Sequence, residues 1–322
     1  MRPARPYQAP WWLPGGHLQT LYTALFAPVP QVSYRRERLN LPDGDFVDLD
    51  WVDGAADAPL LLLFHGLEGH SRGHYALSLM RAAQARGWRG VVAHFRGCSG
   101  EPNRLPRAYF AGDTGDIDTL VQHVRSHVGS ARVYAAGVSL GGNALLKWLG
   151  EQGEAATHKV LAAAAISAPM DLHASGNALD QGFNRSVYTR NFLRTLKTKA
   201  LEKLKQHPQL FDREKVNIAT TLREFDSLVT APLHGYHDAD DYWTRASSKP
   251  GLLHIRVPTL LINARNDPFL PAAALPTAAQ VSSNVTLDFP AAGGHVGFVS
   301  GPFPGRLDWL TQRLLDFFED AK

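Results

Sequence analysis

This chain of 322 residues has one cysteine, few charges and no long apolar run. The single Cys98 excludes an internal disulfide framework and a cysteine-based zinc module, and it fits a reducing compartment. Charged residues make up only 20%, against 44% for the hydrophobic set, which excludes a disordered chain. A formal charge of +3 is too small for a dedicated nucleic-acid binder. The longest apolar runs are Leu60 to Phe64 and Val160 to Ile166, far short of the roughly 20 residues a spanning helix needs. Met1 to Pro14 holds Arg2, Arg5 and four prolines but lacks the apolar stretch of a secretory signal. The expectation is a cytoplasmic protein with no nucleic-acid partner.

What is present has a clear rhythm. Residues 1–31 are rich in proline and aromatics (Tyr7, Trp11, Trp12, Tyr22, Phe26) and read as an arm over the body. Leu39 to Trp51 alternates apolar and polar around Asp43-Gly44, the signature of a hairpin. Short apolar strands then alternate with helical spacing. The strands are Leu60 to Phe64, Gly90 to Phe95, Val133 to Ala136 and Lys159 to Ser167. The pattern predicts a mostly parallel sheet covered by helices on both faces. It breaks near Pro169 and resumes at Val257 to Asn263 and Asn284 to Phe289, closing with a helix from Leu307 to about Phe318. Residues 32–322 therefore read as one domain. The segment at about 171–249 reads as a helical lid inserted where the strands of such sheets bind ligands.

The chemistry concentrates in Gly137-Val138-Ser139-Leu140-Gly141, set between an apolar strand and a helix. A serine at such a turn is aimed outward, with the free N–H groups of a helix start behind it. Glycines on either side let strand and helix approach closely. The pattern makes Ser139 the candidate nucleophile. Serine alone is a weak nucleophile and needs a base and an orienting acid. Among the histidines after Ser139, His295 alone lies beyond the last strand, in a glycine-rich loop. Asp267 follows the strand Thr259 to Asn263 and can orient an imidazole. Its rivals Asp238, Asp240 and Asp241 fall in the insertion. Backbone N–H groups of Leu67, after the first parallel strand, and of Leu140 are the candidate oxyanion donors. Cys98 in Arg96-Gly-Cys-Ser-Gly100 reads as a tight turn near the pocket, and His65, His70 and His74 lack the partner set of a metal site.

Longer stretches add a resemblance. His17-Leu-Gln-Thr20, Leu41-Pro-Asp-Gly-Asp-Phe-Val-Asp48, Phe64-His-Gly-Leu-Glu-Gly69, His94 to Asn103, Arg223-Glu-Phe-Asp226, His234-Gly-Tyr236 and Gly293-Gly-His-Val-Gly-Phe298 resemble the AB-hydrolase type-4 family, with its bacterial YheT-like group, within the α/β-hydrolase superfamily. The likeness runs from the arm to the last loop. It implies an α/β-hydrolase fold and a carboxylic-ester hydrolase with Ser139, Asp267 and His295 as triad, forming an acyl-enzyme on a small-molecule ester. Relatives in that family act on acylglycerols, phospholipids or acyl transfer to alcohols. An acyltransferase with an alcohol acceptor is the alternative; a non-catalytic binding protein on a hydrolase fold is the other. No cofactor and no metal are expected.

The insertion carries Leu193, Leu196, Ala200 and Leu204 at helical spacing, amid Arg190, Arg194, Lys197, Lys199, Lys203 and Lys205. Such a basic amphipathic helix suits a weak contact with an anionic membrane surface; the plainer reading is a solvated face. Tyr236, Tyr242 and Trp243 read as core or as the wall of an acyl pocket.

Overall fold

The computed structural model describes residues 5–321. One sheet of eight strands organises it, in the order β1-β2-β4-β3-β5-β6-β7-β8. The strands are β1 (Arg35–Asn40), β2 (Phe46–Val52), β3 (Leu60–Phe64), β4 (Arg89–Ala93), β5 (Val133–Val138), β6 (Ala162–Ile166), β7 (Thr259–Ile262) and β8 (Val285–Asp288). From β4 to β8 every pairing is parallel, while β2 runs antiparallel to both neighbours. Strands β3, β5 and β6 are buried along their whole length, as their unbroken apolar runs require.

Alternate residues of each strand enter opposite layers. Leu60, Leu62 and Phe64 pack with helices α3 (Thr114–Val128) and α4 (Leu140–Gln152). Leu61 and Leu63 pack with α2 (His74–Ala85) and α8 (Asp308–Asp320). Ahead of them all lies α1 (Gly16–Leu25), a helix within the segment that the sequence marked only by its prolines and aromatics. Residues 5–31 fasten to the C-terminal side of the chain. Tyr7 donates to Val299 O, Trp12 to Gly301 O and Tyr22 to Pro304 O.

The hairpin of β1 and β2 turns through Gly44 at φ 88°, a conformation that glycine adopts freely. Its polar side is not a solvated face. All of β2 is buried, and its acids are matched. Arg38 and Ser99 donate to Asp48; Arg36, Ser71 and His94 meet Asp50. Asp45, just before β2, takes Arg96 and Asn103. Buried carboxylates persist only when so paired. Burial works to raise Asp50, but the bonds from Arg36, His94 and Ser71 outweigh it and hold the carboxyl below its usual range.

Between β6 and β7 the chain leaves the sheet and forms α5 (Leu172–Leu179), α6 (Arg190–Gln206) and α7 (Ala239–Ala246), with shorter turns between them. Leu179, Leu193, Leu204, Phe225 and Val229 form a small core of their own. Among the described residues no helix is long and apolar enough to cross a membrane.

The basic face of α6 departs from the expectation. Lys203 is buried and donates to Asn103 Oδ1 at 2.8 Å and to Leu105 O. Lys199 is half-buried and pairs with Glu68 at 2.8 Å. Helical geometry explains this. Positions 196, 199, 200 and 203 share one face, so these lysines lie beside Leu196 and Ala200. Burial pulls the Lys203 ammonium down to about 8. Arg190, Arg194 and Lys205 remain exposed.

Candidate active site

Strand β5 delivers Ser139 and α4 starts at the next residue. The serine sits at φ 52°, ψ −121°, a conformation that L residues rarely adopt, and its N–H is held by Ile166 O at 2.8 Å. The turn closes only with glycines at two positions. A Cβ on Gly137 would lie 2.5 Å from Gly141 O, and one on Gly141 2.4 Å from His65 O. Asn143, one turn further, is buried and spends both ends of its amide on the insertion's return. It donates to Ala111 O and Ala246 O and accepts from Ser248 N–H.

Two distant segments converge on this turn. His295 Nε2 lies 3.0 Å from Ser139 Oγ, and His295 Nδ1 lies 2.9 Å from Asp267 Oδ2. Asp267 Oδ1 also accepts from Phe269 N–H at 2.8 Å, and the Phe269 ring stacks on His295 at 3.9 Å between centroids. The carboxylate is buried, and only the imidazole edge meets the cavity. With Nδ1–H donating to Asp267, Nε2 is left to accept from the serine hydroxyl. The rival acids stand elsewhere. Asp238 caps α7 and pairs with His237, Asp240 pairs with Arg223, and Asp241 with Arg245.

The loop after β3 runs past the serine. A Cβ on Gly66 would lie 3.1 Å from Ser139 Cβ. The N–H groups of Leu67 and Leu140 donate to no acceptor among the described residues, and both residues line the cavity with Ser139. Glu68 holds the loop at φ 57°; its N–H donates to Tyr109 Oη, which donates back to its carboxylate. His65 is a brace rather than a ligand. Its Nδ1 meets Gly66 O and its Nε2 accepts from Phe95 N–H. Burial drives its pKa down to about 3, so the ring is neutral. Cys98 closes its turn with a bond from its N–H to Phe95 O. Burial pushes the thiol up to about 11 despite Lys199 at 3.4 Å, which makes it a poor nucleophile at neutral pH.

A cavity of about 1240 Å³ opens over Ser139. Its lining includes Leu172, Leu179, Phe225, Val229, Leu233 and Trp243 from the insertion. It also includes the polar residues Arg72, His70, Glu68 and Lys199. Tyr242 and Trp243 line it, Tyr242 with its hydroxyl taken by Ala111 N–H; Tyr236 packs beside them without reaching it.

Sequence reasoning did not single out Gln19, Thr20, Asn266 or Asn143, which hold the loops of this site. The signal was there, since Gln19 and Thr20 belong to a quoted motif, but no spacing rule links residue 20 to residue 295. Among the described residues one set of metal-capable side chains meets, Glu37, His123 and His127, and none of them lines the cavity.

Comparison with known proteins places the chain in a family. The family model described as alpha/beta hydrolase fold matches residues 59–302. The Escherichia coli protein named putative esterase YheT is 42% identical over 306 residues, which cover 94% of this chain and 89% of that one. Phospholipase ABHD3 of Homo sapiens is 32% identical over 317 residues, covering 96% and 77%. Among solved structures, the Pyrococcus furiosus esterase Pf2001 superposes with a TM-score of 0.58 at 15% identity, covering 92% of this chain and 98% of that one; this likeness speaks to the fold alone.

Proposed function

The chain belongs to the α/β hydrolase fold family, beside the esterase and phospholipase just named, and we propose that it is a serine hydrolase that cleaves carboxylic esters. The observation that carries the reading is the unbroken bonded path from Ser139 Oγ through His295 to Asp267, at 3.0 and 2.9 Å. Separations of this size are what general-base activation of a hydroxyl needs.

The reaction follows from the geometry. Ser139 Oγ attacks the ester carbonyl while His295 Nε2 takes its proton. The carbonyl oxygen becomes an oxyanion between the Leu67 and Leu140 N–H groups. Collapse expels the alcohol, which leaves with the proton from His295, and the acyl group stays on Ser139. Water, deprotonated by His295, attacks next. The acid departs and Oγ regains the proton. Asp267 keeps the imidazole in the right tautomer and stabilises its charged form. Preorganised donors at the oxyanion are usually the largest single contribution to such catalysis.

The cavity suggests the substrate class. Its volume exceeds the usual range of about 300 to 1,000 Å³ for small-molecule pockets, so it suits an acyl chain plus a polar remainder. Apolar side chains of the lining suit the chain and its polar side chains suit the alcohol side, as in an acylglycerol-like or short-to-medium acyl ester. The insertion forms the apolar wall and acts as the lid. Arg190, Arg194 and Lys205 are the cations left for a weak contact with an anionic surface. The buried, unpaired Cys98 is in keeping with the cytoplasmic location expected above.

The test is labelling with a fluorophosphonate, followed by a panel of esters graded by acyl length. Ser139→Ala should abolish labelling and turnover with the fold intact by circular dichroism. Full labelling of that variant would refute the assignment.

A further inference from the structure

Helix α1 is built inside out. Gln19, Thr20 and Thr23 are buried, while Leu18 is 53% and Leu25 67% exposed. A helix held by apolar burial shows the opposite arrangement. Burying amide and hydroxyl groups costs free energy unless each is matched, and here the partners surround His295.

The loop from residue 293 to 296 carries four successive backbone N–H groups, each bonded to a side-chain oxygen. Gly293 N–H goes to Gln19 Oε1 at 2.8 Å, and Gly294 N–H to Asn266 Oδ1 at 2.9 Å. His295 N–H goes to Thr20 Oγ1 at 2.8 Å, and Val296 N–H to Ser167 Oγ at 3.1 Å. The same Gln19 Oε1 also accepts from Asn266 Nδ2 at 3.0 Å. Asn266 is the neighbour of Asp267. One glutamine oxygen therefore holds both the loop that carries the acid and the loop that carries the histidine. Contact is close at the backbone as well. A Cβ on Gly16 would lie 1.9 Å from Asn266 O, and one on Gly297 2.9 Å from Gln19 O.

The loop needs outside support. Gly293, Gly294, Val296 and Phe298 all have positive φ, so local preference does not hold this path. Among the described residues no strand pairs with it. Its four successive N–H groups are held by the side chains just named, and two of those come from α1.

We infer that Gln19 and Thr20 are positioning residues that set the Asp267–His295 hydrogen bond and aim His295 Nε2 at Ser139. They act through the backbone of the two loops and touch no reacting atom. His17 extends the device. Its Nδ1 lies 3.2 Å from Tyr188 Oη, and Tyr188 packs edge-on against Phe269, the ring stacked on His295. The three polar residues of His17-Leu-Gln-Thr20 thereby converge on one imidazole. The inference rests on the triad reading above.

Thr20→Val removes the acceptor for His295 N–H and keeps the side-chain shape. A misplacement of about 1 Å costs up to ~100-fold in rate. The kcat on a small soluble ester should therefore fall by roughly tenfold to a hundredfold, with KM within about twofold. The downfield proton resonance of the His295 Nδ1–H···Asp267 bond should broaden or vanish. Gln19→Leu should behave alike, and Thr20→Ser should restore both readouts. Thr23→Val is the control. Its hydroxyl donates only to Gln19 O, on the same buried face. It should lower stability and leave kcat in place. The inference is overturned if Thr20→Val and Gln19→Leu keep kcat and the resonance. It is equally overturned if Thr23→Val loses as much kcat as they do, since helix stability would then be the whole effect. The resonance can be read in a Ser139→Ala background. Failure of the triad reading, seen as full labelling of Ser139→Ala, is thus separate from failure of the clamp, seen as an unmoved resonance in Thr20→Val.

Discussion

Replacing Asp226 by asparagine should stabilise this protein at neutral pH and do little in acid. Asp226 stands in the insertion, where Thr230 Oγ1 donates to one carboxylate oxygen at 2.7 Å and Trp243 Nε1 to the other at 2.8 Å. Among the described residues no cation pairs with it, and it lines the cavity. Burial raises its pKa from 3.8 to about 6, against the lowering effect of the two donors. The folded state thus holds a proton that the unfolded state has already released. The resulting stability is complete below about pH 4 and is lost as pH rises through about 6. A rise from 3.8 to about 6 corresponds to about 1 to 3 kcal/mol. Asparagine keeps one acceptor for Trp243, and its amide can donate to the Thr230 hydroxyl, which accepts as readily as it donates. The assay is urea unfolding of both proteins in steps from pH 4 to 7.5. The stability gap in favour of Asp226→Asn should open between about pH 4 and 6.5 and level off above that. A gap that stays flat with pH, or a variant weaker at pH 7.5, would refute the burial argument.

Two further outcomes follow from the site. Asp267→Asn should keep the fold and lower ester turnover by roughly 10⁴, because the imidazole loses its correct tautomer; stopped assays at matched labelling check this, and near-native turnover would move the acid elsewhere. Gly141→Ala should cost about 3 kcal/mol or more in a thermal melt and slow fluorophosphonate labelling. The new Cβ would stand 2.4 Å from His65 O and 2.7 Å from Phe64 O, both backbone atoms; an unchanged melting temperature would mean the elbow is not held as described.

The parallel sheet was legible in the sequence because each of its inner strands is buried on both faces and reads as an unbroken apolar run. Leu60–Phe64 is the clearest case. Ser139 was legible because its turn is local. The glycines that permit φ 52° lie two residues away on each side, so one short window holds the whole pattern. His295 and Asp267 could be named by their order along the chain, each after a strand, but their 2.9 Å contact is a property of the assembled sheet.

Tertiary structure decided what local pattern does not encode. An apolar–polar alternation like that of β2 is the usual mark of a half-solvated strand. The loop at residues 94–103 instead covers its acids and turns that face into a buried ionic network. The lysines of α6 looked like one basic stripe. Lys199 and Lys203 share a face with Leu196 and Ala200, and long aliphatic stems let their ammonium groups reach Glu68 and Asn103. Helix α1 went unread because its buried face is polar, the reverse of the pattern by which an amphipathic helix is recognised. Periodicity reports burial of apolar surface. It is silent where burial is sustained by hydrogen bonds to partners some 275 residues away, as Thr20 is by His295.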